Sequence, residues 1–284
     1  MMRKDMEIRL KRGRDKIQSA LQLHHGFSVM ATGITADDCR IAAAAVSAGV
    51  RIIELNHPSI SLSIGWSGVR TMREAENMRH RLPFSAVVEK IDALRRVIDE
   101  EVYLSVAVPG LFLEPVPILR TREDFQALAS AGADGLHVHK PDYEDLRDIV
   151  EQAHKSGLLV DAYISNTHDK DFLGVPADSE EEIRICSSRM QEIGVDFIGL
   201  IMGQSFQGSA AGGFSVESLH RLEVLCSCSA VPVFAEGGIT AANAVSIREA
   251  GAQVAVVGTY IDDTIKTEMS KAITVLLERG DAEA

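Results

Sequence analysis

Along this chain, segments whose apolar residues recur at helical spacing stop at a glycine, and within one or two residues a short apolar run begins. The junction recurs in SAGVRIIEL at Gly49, SAGADGLHV at Gly132, KSGLLVDAY at Gly157, EIGVDFIGL at Gly194 and EAGAQVAVV at Gly251. Glycine suits the left-handed residue just past a helix end, so each junction predicts a helix stop followed by a buried parallel strand. The apolar runs predict strands at 27–31, 51–55, 102–107, 135–139, 158–163, 197–201, 231–235 and 253–257. Helical segments separate every pair, another at 264–277 follows the last, and a basic helix precedes the first. Eight alternations match a (β/α)8 barrel, the TIM-barrel class of α/β fold with an extra N-terminal helix, better than an open doubly wound sheet. No Pro/Gly/Ser-rich linker interrupts the pattern, so residues 1–284 are read as one domain.

Two stretches depart from the minimal repeat. Between the second and third strands lie NHPSISLSIGWSG, which is a candidate lid or subunit contact, and helical segments near 71–81 and 85–99. After the fifth strand, NTHDKDFLGVPADSEEE is polar enough to predict a solvated loop.

A formal charge of −12 without a basic stripe argues against a nucleic-acid partner. The N-terminal residues are basic, but no unbroken apolar segment follows them, so they do not form a signal peptide. No run approaches the roughly 18 apolar residues of a membrane helix, and a cytoplasmic protein without a membrane partner is expected. Cys39, Cys186, Cys226 and Cys228 have neither zinc-site spacing nor a disulfide framework and read as reduced structural thiols. A homodimer is the expected assembly.

In such a barrel, alternate residues of each strand face inward and those nearest the carboxyl ends surround a substrate. RIIELNHP therefore places Glu54 and Asn56 inward, GLHVHKP His137 and His139, LLVDAYISN Asp161 and Tyr163, and VFAEGG Glu236. Glu236 is the candidate general base, with a pKa raised by its pocket, and His139 is a second acid or base. Lys140, just past its strand, is a candidate electrophile. Glu54, Asn56, His137, Asp161 and Tyr163 are assigned to substrate binding. The leading reading assigns no metal or cofactor, although Glu54, His57, His137, His139 and Glu236 include donor types that suit a divalent metal.

Gly237-Gly238 and Gly258-Thr259 follow the last two strands, where loop amides and a helix over 240–250 would bind phosphate. The small residues of MGQSFQGSAAGG form another candidate cradle or flap, with Gln204 and Gln207 as donors. These assignments imply a small phosphorylated metabolite as the partner.

The segments PVFAEGGIT and AQVAVVGTYI resemble the ribulose-phosphate-binding barrels, most nearly the N-acetylmannosamine-6-phosphate 2-epimerases. The likeness extends more faintly through KSGLLVDAYIS and the sixth strand ending at Gly203, covering about half the chain. It implies a proton-transfer role for Glu236. The epimerases' catalytic lysine is absent, because SVAVPG puts Val108 and Pro109 at the end of the third strand, and His139 and Tyr163 stand where aspartates are expected. The leading expectation is an enzyme of carbohydrate metabolism that moves a proton beside the carbonyl of a phosphorylated sugar or sugar acid, as an epimerase, isomerase or lyase. A metal-dependent aldolase or hydrolase, and a non-catalytic metabolite-binding barrel, are the alternatives.

Overall fold

A computed structural model describes residues 3–114, 116–167, 173–203 and 213–281. Its first half comprises α1 (Arg3–Leu23), β1 (Ser28–Ala31), α2 (Ile34–Asp37), α3 (Cys39–Ser47), β2 (Ile52–Asn56), α4 (His57–Ser63), α5 (Met72–Met78), α6 (Phe84–Arg95), β3 (Tyr103–Ala107), α7 (Arg122–Ala131) and β4 (Gly135–Val138). Its second half comprises α8 (Tyr143–His154), β5 (Leu159–Ser165), β6 (Val175–Pro176), α9 (Glu180–Ile193), β7 (Phe197–Ile201), α10 (Val216–Cys228), β8 (Val233–Glu236), α11 (Ala244–Glu249), β9 (Val254–Val257) and α12 (Thr259–Asp281).

Eight strands close a parallel ring. β1 pairs with both β2 and β9, β4 bridges β3 and β5, and β5 continues through β7 and β8 back to β9. Each predicted strand is present with its ends displaced by no more than two residues. The five junction glycines all have φ between 78° and 114°. At Gly132 and Gly194 this left-handed conformation lets the glycine amide bond back into the helix it ends.

Helix starts follow local chemistry. Thr71 with Glu74, Thr121 with Asp124, and Ser179 with Glu182 form reciprocal capping boxes. Two helical expectations shift. The helix expected over 240–250 begins at Ala244, because Asn243 turns back to accept from the Thr240 amide (2.7 Å) and to donate to the Gly238 carbonyl (3.0 Å). The last helix instead begins early, at Thr259, directly after Gly258.

The departures from the minimal repeat are also more ordered than their polarity suggested. His57 to Ser61 of the proposed lid are buried in α4, which packs on α2, α5 and α6. In the expected solvated loop, Val175 and Ala177 are buried, and Arg221 donates to the Ser165 and Ala177 carbonyls. Residues 168–172 lie outside the described residues.

Two apolar clusters divide the core. One fills the layer between strands and helices; the other lies inside the ring and includes Met30, Ile52, Tyr103, Leu159, Phe197, Phe234 and Val254. Ile17, Ala20 and Leu21 of α1 join the inner cluster. Each fully buried Leu or Ile contributes roughly 1.5–3 kcal/mol of transfer free energy. Polar bonds fasten α1 across the amino ends of the strands: Lys16 reaches both Asp134 oxygens at 2.8 Å, and Arg14 reaches Asp196 at 2.7 Å. The expected N-terminal helix therefore plugs the bottom of the barrel and leaves the opposite end for chemistry.

Candidate active site at the barrel mouth

The inner face changes character along the strands. Below are apolar side chains; above them stand Glu54, Ser105, His137, Asp161 and Glu236. The period of two predicted the inward faces of Glu54, His137, Asp161 and Glu236, and parallel pairing sets His137 opposite Asp161.

The polar groups form a directed network. Ser105 Oγ donates to Asp161 at 2.9 Å, and Asp161 accepts from His137 Nδ1 at 2.6 Å. His137 Nε2 faces His139 Nε2 at 2.7 Å, and Glu236 Oε2 lies 3.5 and 3.4 Å from these two nitrogens. Tyr163 packs its ring 4.7 Å from both histidines, while Phe112 lies 4.9 Å from His139. Gly199, paired with Tyr163 on the neighbouring strand β7, has no side chain, and the Tyr163 ring occupies that space.

Electrostatics assign different charges to these groups. Burial acts to lower the His137 pKa, but the carboxylates of Glu54, Asp161 and Glu236 outweigh it and hold the imidazole well above its ordinary value. Burial dominates at His139 and lowers it. Burial alone would raise Glu236; His139 and His137 reverse this and hold it well below the carboxylate range. The expected raised pKa therefore belongs elsewhere. Glu54, buried and accepting a bond from Thr32, is pushed by burial up to about 7.

The mouth holds a solvent-connected cavity of about 80 Å3. Its lining includes Asn56, His137, His139, Glu236, Gly237, Gly238, Gly258 and Thr259, so the two glycine turns and the polar network share one space. Gly237, at φ 100°, has no room for a side chain because its backbone passes against the Gly203 carbonyl. α12 opens here, leaving the Thr259 and Tyr260 amides ahead of the helix's first internal bonds, made by Ile261 and Asp262 to Gly258. Asp262 in the same turn is held by Thr35, and burial raises its pKa, which favours the neutral acid beside this end.

Some assigned residues stand apart. Lys140 donates to the Phe112 carbonyl at 2.8 Å and lies 3.6 Å from Glu114, outside the mouth lining. With His139 inward, the next side chain faces out. His57 is wholly buried against Phe112, at 4.8 Å, and does not join the histidine pair. Among the described residues, the potential metal-binding group is His137, His139 and Glu236. Gln204 and Gln207 lie outside the described residues. Thr32, Ser105, Phe112 and Asp262 were not anticipated; Thr32 and Ser105 follow the same inward-polar rule, whereas Phe112 and Asp262 arrive from a loop and a helix.

The closed ring of eight parallel strands, with its polar network at the carboxyl ends, defines a TIM barrel. The family model described as thiamine monophosphate synthase matches residues 121–261. A thiamine-phosphate synthase of Ruminiclostridium cellulolyticum is 32% identical over 165 residues, covering 57% of this chain and 68% of that protein. This chain belongs to the thiamine monophosphate synthase family.

Solved structures share the fold at low identity. The tryptophan synthase alpha chain of Legionella pneumophila subsp. pneumophila is 18% identical with a TM-score of 0.62, over 92% of this chain and 90% of that one. A putative phosphonomutase of Burkholderia cenocepacia is 15% identical with a TM-score of 0.61, over 94% and 99%. The family match overturns the expected sugar-phosphate epimerase, isomerase or lyase and its place in carbohydrate metabolism, together with the aldolase, hydrolase and non-catalytic alternatives. The AEGG and VVGT segments, on which the epimerase expectation rested, do not specify the reaction. The resemblance to N-acetylmannosamine-6-phosphate 2-epimerases reduces to the barrel they share. Among the described residues, no helix is long and apolar enough to cross a membrane.

Proposed function

We propose that this chain is a transferase that forms thiamine phosphate by joining a phosphorylated thiazole to an aminopyrimidine bearing a leaving group on its methylene carbon. The observation that carries this reading is that the family match, 121–261, contains His137, His139, Asp161, Tyr163, Glu236 and both glycine turns.

The chemistry follows from the product. The thiazole nitrogen lone pair forms a bond to the methylene carbon, the bond to the leaving group breaks, and its electrons depart on that group. A neutral ring becomes a thiazolium cation, and no proton leaves carbon. Glu236, held as an anion, is a weak base but a fixed negative charge beside the site of developing positive charge. The Tyr163 and Phe112 rings add aromatic faces that suit a cation. The amides around Gly237-Gly238 and Gly258-Thr259 would hold the thiazole phosphate, with the positive end of α12 behind them. His137, braced by Asp161, would offer positive charge to the departing anion.

The experiment incubates purified protein with the two half-molecules and detects thiamine phosphate by mass spectrometry, alongside calorimetric titration with thiamine phosphate. Product formation and saturable binding support the assignment. Absence of both at millimolar ligand overturns it.

A further inference from the structure

We propose that His137, His139 and Glu236 form a binding site for one divalent transition-metal ion, with Asp161 as the residue that orients His137 toward it. The ion would use the same His137 and Glu236 as the reaction proposed above, supplying the positive charge in place of a proton on His137, and its binding is tested without that reaction.

The three donor atoms are already gathered. Nε2 of His137, Nε2 of His139 and Oε2 of Glu236 are separated by 2.7, 3.5 and 3.4 Å. A point equidistant from the three lies about 1.9 Å from each atom, close to the roughly 2.0–2.2 Å of Zn–N and Zn–O bonds. Two imidazole nitrogens facing each other can share one proton. The Glu236 oxygen is too far away to form a good N–H bond with either ring, and it has no other hydrogen-bond partner among the described residues. An ion bound by both nitrogens and that oxygen satisfies all three atoms at once.

The surroundings have the form expected of a metal site. The Nδ1 of His137 is taken by Asp161, which is itself fixed by Ser105; this leaves Nε2 as the coordinating atom. A carboxylate on the distal nitrogen of a histidine ligand is the usual device for setting ring orientation and basicity. Three protein donors that border an open cavity leave coordination positions for a substrate oxygen or water. Two nitrogens and one oxygen favour ions of the zinc, iron(II) or cobalt class over magnesium or calcium.

The test is titration of metal-stripped full-length protein with Zn2+ and Co2+, followed by calorimetry and visible absorption. The expected result is one equivalent bound, with a Co2+ spectrum of nitrogen and oxygen ligands and no thiolate charge-transfer band. His139→Ala should abolish the stoichiometric site, and Asp161→Asn should weaken it roughly 10–100-fold. Glu236→Gln, which preserves side-chain size, provides a second ligand variant should His139→Ala fail to fold. Thermal melts of the metal-free variants separate altered affinity from altered folding. A Cys226→Ser/Cys228→Ser variant should bind as the parent does. The inference is overturned by sub-stoichiometric binding, by a thiolate spectrum lost in the cysteine variant, or by unchanged affinity in folded His139→Ala or Glu236→Gln.

Discussion

Gly199 and Tyr163 share one volume inside the barrel: the glycine contributes no side chain, and the tyrosine ring fills the space a Cβ would need. Tyr163 in turn backs both histidines, so the smallest residue on β7 helps set the packing of the mouth. Gly199→Ala should cost about 1–3 kcal/mol through overpacking. Urea denaturation measures it; an unchanged midpoint would mean that the ring has room to move.

Asp134 provides a test of the opposite end. It receives Lys16, Arg95 and the Leu104 amide, and the Lys16 side chain is only 4% exposed. Asp134→Ala should destabilise the fold by about 3–5 kcal/mol, because it leaves a buried ammonium without its carboxylate. The double variant Lys16→Met/Asp134→Ala should recover part of that loss. No recovery would place the main effect at Arg95 or Leu104.

Asp37 predicts a pH dependence. Its side chain is buried, with one oxygen accepting from the Asn56 amide and the other without a hydrogen-bond partner among the described residues, and burial raises its pKa well above 3.8. Between 3.8 and the raised folded value, the folded protein keeps a proton the unfolded chain has lost. Stability contributed by this group therefore falls as pH rises through that window, by up to about 1.4 kcal/mol per pH unit. Asp37→Asn should remove this dependence, gaining on the parent from pH 4 to pH 7 in denaturant titrations. A constant difference across that range would refute the burial argument.

Glu236→Gln bears on the proposed transfer reaction. Loss of a fixed charge at a cationic transition state should lower kcat for thiamine phosphate formation by about 10²–10³-fold, while the backbone amides, which the substitution leaves in place, retain the phosphorylated thiazole. Steady-state kinetics check this. An unchanged kcat removes Glu236 from the chemistry.

The barrel was legible because two simple signals repeat: a glycine stop before each of five strands, and a period of two that separates Glu54 from Leu55 and His137 from Val138. The inward positions of His137, His139, Asp161 and Tyr163 followed from that period alone. Their charges did not. Whether Glu236 is a base or a permanent anion depends on His137 and His139, about a hundred residues away in sequence, and only the closed ring brings them together. The outward turn of Lys140 was implicit in the inward placement of His139. Phe112 and Asp262 reach the mouth from outside the strands, where no periodicity marks them. The reaction was misjudged because the expectation rested on the glycine turns, whereas the residues beside them decide which bond is made.

The plug formed by α1 places a constraint on the order of folding. Its residues come first in the chain, yet Arg14 finds its partner at Asp196 and Arg9 donates to the carbonyls of Ala129 and Ala133. During synthesis this helix has no native floor to dock on until most of the ring has emerged. Such long-range contacts slow folding, since a large loop must close before they stabilise anything. Ile17 and Leu21 must therefore remain shielded, or transiently exposed, until β7 is in place.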